Sequence, residues 1–245
     1  MIDCASAQRS WIMKLYTSVD IAPSAKKIEY GDKLLFLGSC FADNIGSKFS
    51  DHYFRVTINP LGTLYNPASI AKVILELGLQ KSNPELVEYN GLWHSMLRHG
   101  AFSGVDKAEV IARCKQSNEQ LQIALSEATT VIVTFGTAWV YEMDGQVVTN
   151  CHKMPANRFT RRCLTVDEIM AIWRPILERM CDKHWIFTVS PIRHIKDGLH
   201  ANQVSKAMLL QAVDQLGQSY FPSYEIMVDE LRDYRFYTED LVHPS

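Results

Sequence analysis

The sequence predicts a three-layer α/β sandwich built on a five-stranded, mostly parallel sheet, with hairpins inserted between its units. Three observations lead there. The runs KLLFLG, TVIVTFG and HWIFTVS are short, nearly continuous stretches of apolar and β-branched residues, as expected of strands covered on both faces. Stretches with helical character follow them along the chain. Turn signals, Asn90-Gly91 and Asp144-Gly145, mark insertions that stand outside this rhythm.

Taken in order, residues 33–38 form the first strand and end at Gly38, after which Phe41, Ile45 and Phe49 recur at helical spacing. FRVTI, 54–58, reads as the second strand, and Pro67 suits the first position of a helix through ASIAKVILELG. Residues 85–104 read as an inserted hairpin, and a helix from about Lys107 to Ser126 leads to the third strand, TVIVTFG. MDGQVV is a second hairpin, followed by an irregular loop over 150–162. Thr165 and Glu168 form a capping box before a helix reaching about Cys181, and HWIFTVS supplies the fourth strand. A helix over Ala201–Leu216 and a fifth strand near Tyr224–Val228 complete the pattern. Right-handed crossovers then place a ligand crevice at the carboxyl ends of the strands.

One domain with insertions accounts for all 245 residues. Apolar residues make up 47% and charged residues 21%, the balance of a soluble globular chain. A formal charge of −2 without a basic cluster argues against nucleic-acid binding. The six cysteines are scattered without C-x-x-C spacing, which points to reduced thiols. No secretory signal and no run of eighteen apolar residues is present, so a cytoplasmic chain without membrane insertion is expected. Met13 opens MKLYTSVDI and looks like a more natural start than Met1, which makes residues 1–12 a candidate disordered leader.

Chemistry concentrates at two places. Ser39 follows Gly38 where a strand gives way to a helix, a turn that exposes a side chain above the sheet beside helix-start N–H groups. The ordinary role of such a serine is to cap the helix, and its reactive role is to attack a carbonyl. Near the other end, Asp240 stands three residues before His243, a spacing at which a carboxylate can orient an imidazole that accepts a proton. Cys40, next to Ser39, is expected to pack inward as a small apolar residue rather than act as nucleophile.

Histidines are plentiful, but none pairs with another histidine or a carboxylate at metal-ligand spacing, so neither a metal nor another cofactor is assigned. His152 and His194 follow strands whose ends face the crevice and are candidate substrate-binding residues. Arg193 could grip a substrate carboxylate or phosphate, or pair locally with Asp197. Trp93, Trp139, Tyr141 and Phe159 suit either an aromatic wall for a sugar or acyl group, or packing beneath the insertions.

The run GSCFADNIG, residues 38–46, together with INPLGTLYNP, TFGTAWVYE, NCHKMPANRF, SPIRHIKDGLHANQVSKA and EDLVHPS, resembles the GSCFA family over nearly the whole chain. That family resembles the SGNH or GDSL hydrolases, which implies a flavodoxin-like sheet and an esterase-like or acyltransferase-like site. The resemblance implies Ser39 as nucleophile, with Asp240 and His243 completing a catalytic triad. It implies an oxyanion hole from the backbone N–H groups of Ser39 and Gly62.

Where the hydrolases place an asparagine donor, Ala138 stands instead, so Thr137 or Asn150 is expected to supply the missing hydrogen bond. The resemblance also implies a last helix beyond Ser245, without which His243 is expected to be loosely held. The substrate it implies is a small-molecule ester, with an acylated carbohydrate preferred. The alternative is a catalytically impaired module that binds a glycan or acyl ligand in the same pocket.

Overall fold

Runs of consecutive apolar residues become central strands here because both their faces are covered, and each strand sends alternate side chains into a different layer. The computed structural model describes residues 16–24, 26–79 and 84–245. The candidate leader over 1–12 and the Met13 start lie outside the described residues.

The chain begins its regular structure with β1 (Lys33–Gly38), α1 (Cys40–Asp51), β2 (Arg55–Ile58) and α2 (Pro67–Val73), which runs on as a π-helical turn over Ile74–Leu79. An antiparallel hairpin, β3 (Val87–Tyr89) and β4 (Leu92–His94), precedes α3 (Lys107–Glu127) and β5 (Thr130–Phe135). A second insertion holds β6 (Trp139–Met143), β7 (Gln146–Val148) and β8 (Thr160–Cys163). Then come α4 (Val166–Arg179), β9 (His184–Val189), α5 (Leu199–Leu216), β10 (Ser219–Tyr220) and the short α6 (Ser223–Glu225).

Five strands form the central sheet in the order β2-β1-β5-β9-β10, and every pair is parallel. Leu34 and Phe36 of β1 face α1, where they meet Ala42, Ile45 and Phe49. Leu35 and Leu37 face the opposite layer, a larger core filled from α2, α3, α4 and α5. The expected three-layer α/β sandwich is thus present, with inserted hairpins beside it. Among the described residues no helix is long and apolar enough to cross a membrane.

The sequence reading misplaces two elements. Tyr224–Val228 is not the fifth strand: Ser219–Tyr220 takes that edge position, and the chain turns helical from Ser223 through Glu230. Pro222 precedes that turn, and Tyr224, Met227 and Val228 fall at the i, i+3, i+4 spacing of a helix.

Residues 150–162 are likewise not wholly irregular, because Thr160–Cys163 is β8, paired antiparallel with β6. Its Arg161 stacks over Trp139 while Arg162 binds Glu142 and Glu168, so this strand presents a cation on each face rather than an apolar stripe on one. Hydrophobic periodicity cannot see such a strand. The capping box of Thr165 and Glu168 forms as expected.

Trp173 on α4 anchors the larger layer. Its ring is fully buried against Phe135, Trp185 and Phe187, and its indole N–H donates to the Pro67 carbonyl at 3.2 Å. Trp173→Ala is expected to cost about 4 kcal/mol of stability, read as a lowered urea midpoint, because it opens a cavity and leaves the Pro67 carbonyl short of its donor.

Candidate active site

The end of β1 is a place where two strands come closer than side chains allow. Gly38 has φ of 140°, and a Cβ there would lie 2.2 Å from the Thr134 carbonyl oxygen on β5. The Gly38 N–H donates to Asn59 Oδ1 at 2.8 Å, and Asn59 Nδ2 donates to Asp43 Oδ1 at 2.6 Å, which ties the β1 turn to both α1 and the loop after β2. Burial pushes the Asp43 carboxyl up, while the Asn59 amide opposes that shift.

Ser39 occupies the N-cap position of α1, yet its hydroxyl makes no capping bond. Ser39 is 1% exposed and its Oγ has no hydrogen-bond partner. A buried hydroxyl left unbonded costs about 1–3 kcal/mol, a cost that the Ser69 and Thr130 hydroxyls share. The ordinary capping role is therefore unfilled. Beside Ser39 lies Gly136, where a Cβ would sit 3.4 Å from the Ser39 Cβ and 3.0 Å from the Tyr65 carbonyl oxygen. The Ser39 N–H points at the Thr134 carbonyl at a long 3.4 Å.

The adjacent Cys40 is half-buried, and burial first, then Asp43, raises its thiol above the usual range. A protonated thiol is a poor nucleophile, in keeping with its expected role as a packing residue.

His243 and Asp240 meet as the spacing predicts. His243 Nδ1 lies 2.6 Å from Asp240 Oδ2, while Asp240 Oδ1 accepts from the N–H groups of Val242 and His243 and from the Thr238 hydroxyl. The His243 amide, then the Thr238 hydroxyl and the His243 ring, hold the Asp240 carboxyl well below the usual carboxylate range.

The loop carrying the pair is fastened by Arg193: its N–H donates to the Val242 carbonyl at 3.2 Å and its guanidinium to the Leu241 carbonyl at 3.0 Å. Tyr234 and Tyr237 flank that guanidinium at 5.5 and 5.7 Å. Arg193 thus does not pair with Asp197, which binds Arg161, and it spends one guanidinium nitrogen on the terminal loop. Since Arg193 follows β9 and Ser39 follows β1, both ends of the chain reach the carboxyl edge of one sheet. His243 does not hydrogen-bond Ser39, whose hydroxyl stays unpartnered.

The remaining predicted residues divide. The Gly62 N–H is turned into its own loop, donating to the Asn59 carbonyl at 2.7 Å. The Thr137 hydroxyl is held by Ser205 Oγ at 3.1 Å and accepts from the Trp139 N–H. Ala138 is buried with its N–H on Ser205 Oγ, and Asn150 Oδ1 accepts from the His152 N–H.

His152 is buried in the inserted region, its Nε2 2.9 Å from the Ser95 carbonyl and its ring tilted against that of His94. His194 lies beside Gly136, the glycine next to Ser39. Its ring lies against the Gly136 carbonyl, and burial first, then the Lys206 charge, pulls its pKa down to about 4.

Sequence reasoning passed over four residues that shape this edge: Asn59, Tyr65, Gly136 and Lys206. Each lies within a motif already noticed, INPLGTLYNP, TFGTAWVYE or SPIRHIKDGLHANQVSKA, but none has a reactive side chain placed beside Ser39 in sequence. Among the described residues no group of three His, Cys, Asp or Glu side chains could hold a metal ion.

The profile of the GSCFA family matches residues 33–245. No curated protein is similar enough to the chain to be matched.

Because folding holds His194 neutral, the unfolded chain takes up the proton first as pH falls from 6.5 toward about 4. Stability is therefore expected to drop across that window, and His194→Gln should flatten the drop when urea midpoints are compared at neutral pH and near pH 5. A wild-type slope no steeper than that of the variant would contradict the buried neutral ring.

Proposed function

The chain belongs to the GSCFA family, and from the geometry of its carboxyl edge we propose that it is a serine hydrolase or acyltransferase acting on an ester through Ser39, His243 and Asp240. The observation that carries this reading is the Ser39 hydroxyl. It is buried at the head of a twelve-residue helix, with Gly38 before it and Gly136 packed against it, and it serves no structural bond. The likeness of the family to the SGNH or GDSL hydrolases supports the same reading.

In this mechanism Ser39 Oγ attacks the carbonyl carbon, the C=O π pair moves onto oxygen, and the serine proton passes to His243 Nε2. Asp240, held as an anion, keeps the Nδ1 proton in place and fixes the tautomer that accepts at Nε2. His243 then returns its proton to the leaving alkoxide as the ester C–O bond breaks, leaving an acyl group on Ser39. Water or an acceptor hydroxyl, deprotonated by His243, releases the acyl group and restores the serine. In the free chain His243 makes no hydrogen bond to Ser39, and catalytic hydrogen bonds of this kind tighten in the bound complex.

Oxyanion donation falls to the amides at the start of α1, because the Ser39 N–H expected to share it is directed at the Thr134 carbonyl. An acylated carbohydrate is the preferred substrate class, by the family's resemblance alone. A cytoplasmic site of action belongs to the same reading and is supported by the unpaired thiols of Cys40, Cys114, Cys151, Cys163 and Cys181.

One observation favours the second reading, an impaired module that binds a glycan or acyl ligand. The Gly62 N–H is committed to Asn59 rather than open to an oxyanion.

A fluorophosphonate probe and a p-nitrophenyl ester separate the two. The hydrolase reading expects stoichiometric labelling and ester turnover in the wild type, no labelling in Ser39→Ala, and a loss of at least about a thousandfold in turnover in His243→Ala. Labelling that survives in Ser39→Ala would remove Ser39 as nucleophile, and a wild type silent to both reagents would favour the binding module.

A further inference from the structure

Lysine is the residue least suited to a protein interior, because its ammonium must be stripped of water and given other partners. Lys206 lies on the inward stripe of α5 beside Ser205 and Leu209 and is 1% exposed. Its Nζ donates to the Gly136 carbonyl at 2.7 Å and the Ser190 carbonyl at 2.6 Å, the first residues beyond β5 and β9.

No carboxylate among the described residues bears on its charge. The titratable groups around it are the Cys40 thiol on α1, the His194 ring after β9, and Tyr224, whose ring centre is 5.8 Å from Nζ. An apolar residue would fill the same space without that cost, so the charge itself calls for a partner.

The place where negative charge would appear is one residue away. Gly136, whose carbonyl Lys206 holds, is the glycine packed against Ser39. Attack by Ser39 on a neutral ester puts a full negative charge on the former carbonyl oxygen, and Ala138 offers no side-chain donor there. The Gly62 amide is already committed to the Asn59 carbonyl.

We propose that protonated Lys206 is the positioning residue of the oxyanion site, fixing the turns after β5 and β9 through their carbonyls and supplying the positive field that balances the anion formed at Ser39. The inference rests on Ser39 being the nucleophile. Burial pulls the Lys206 pKa down to about 7, so the charged form that does this work is lost as pH rises through neutrality.

The test uses an arylboronic acid and the fluorophosphonate on the full chain and on Lys206→Met, which keeps the length and removes the charge. A boronic acid bonds its boron to the serine oxygen while the serine proton leaves to His243, giving a tetrahedral anion. The fluorophosphonate adduct is neutral once fluoride has left.

Lys206→Met, shown to be folded by thermal melt, is expected to bind the boronic acid at least about tenfold more weakly. The part of the alkaline fall in boronate affinity that begins near neutrality in the wild type should be absent from the variant, which keeps only the later fall set by ionisation of the boronic acid itself. Equal boronate affinity and an unchanged pH profile in a folded Lys206→Met would overturn the proposal.

If that variant does not fold, ¹³C-lysine spectra of the wild type decide. The Lys206 titration should move to higher pH on forming the boronate adduct, and an unmoved titration rejects the role. A wild type that the fluorophosphonate fails to label rejects the serine reading itself, an outcome distinct from either of these.

Discussion

The close approach of β1 and β5 at Gly38 is the constraint on which the rest of this edge depends. With no side chain at that position, the Thr134 carbonyl comes into space that any other residue would fill. Three hydrogen bonds then converge on Gly38 and the amide after it: Asn59 receives the Gly38 N–H, Leu64 donates to the Gly38 carbonyl at 2.8 Å, and the next amide turns toward Thr134. The start of α1 is aimed by these contacts rather than by a cap of its own. Ser39 is left with a hydroxyl that has a place but no partner.

Charge is used differently inside and outside this molecule. Arg162 sits on the surface between Glu142 and Glu168, an arrangement whose worth is small because water screens it. The interior cations take neutral acceptors instead. Arg98, fully buried, donates to Ser95 Oγ, Ser117 Oγ, the Cys114 carbonyl and Asn118 Oδ1, and so pins the first inserted hairpin to α3. Lys206 repeats the device between two strand ends. Among the described residues neither is paired with a carboxylate, so each in its protonated form lends its surroundings a net positive potential.

Much of the fold was legible because burial on two faces leaves a direct mark in β1, β5 and β9, and turn chemistry marked both hairpins. The errors share a cause. The edge strand Ser219–Tyr220 is too short to carry a period, and β8 is held by Arg161 and Arg162 rather than by apolar residues.

At the site, the Asp240–His243 contact was readable from its spacing, since both partners lie on one turn. The roles of Asn59, Gly136 and Lys206 were not, because each depends on a partner far away in the chain. Arg193 shows the same limit: its charge was visible, but only the folded chain turns it toward two carbonyls of the terminal loop.

That loop is gripped by its main chain. Arg193 reads the oxygens of Leu241 and Val242, not their side chains, and Leu241 is exposed with φ of 55°, a left-handed conformation that costs a branched residue about 1 kcal/mol or more. Chemical identity at these two positions is consequently almost free to drift, whereas backbone shape is not. Glycine or asparagine at 241 would settle the same path with less strain, which makes the imidazole's perch a matter of geometry that many sequences can satisfy.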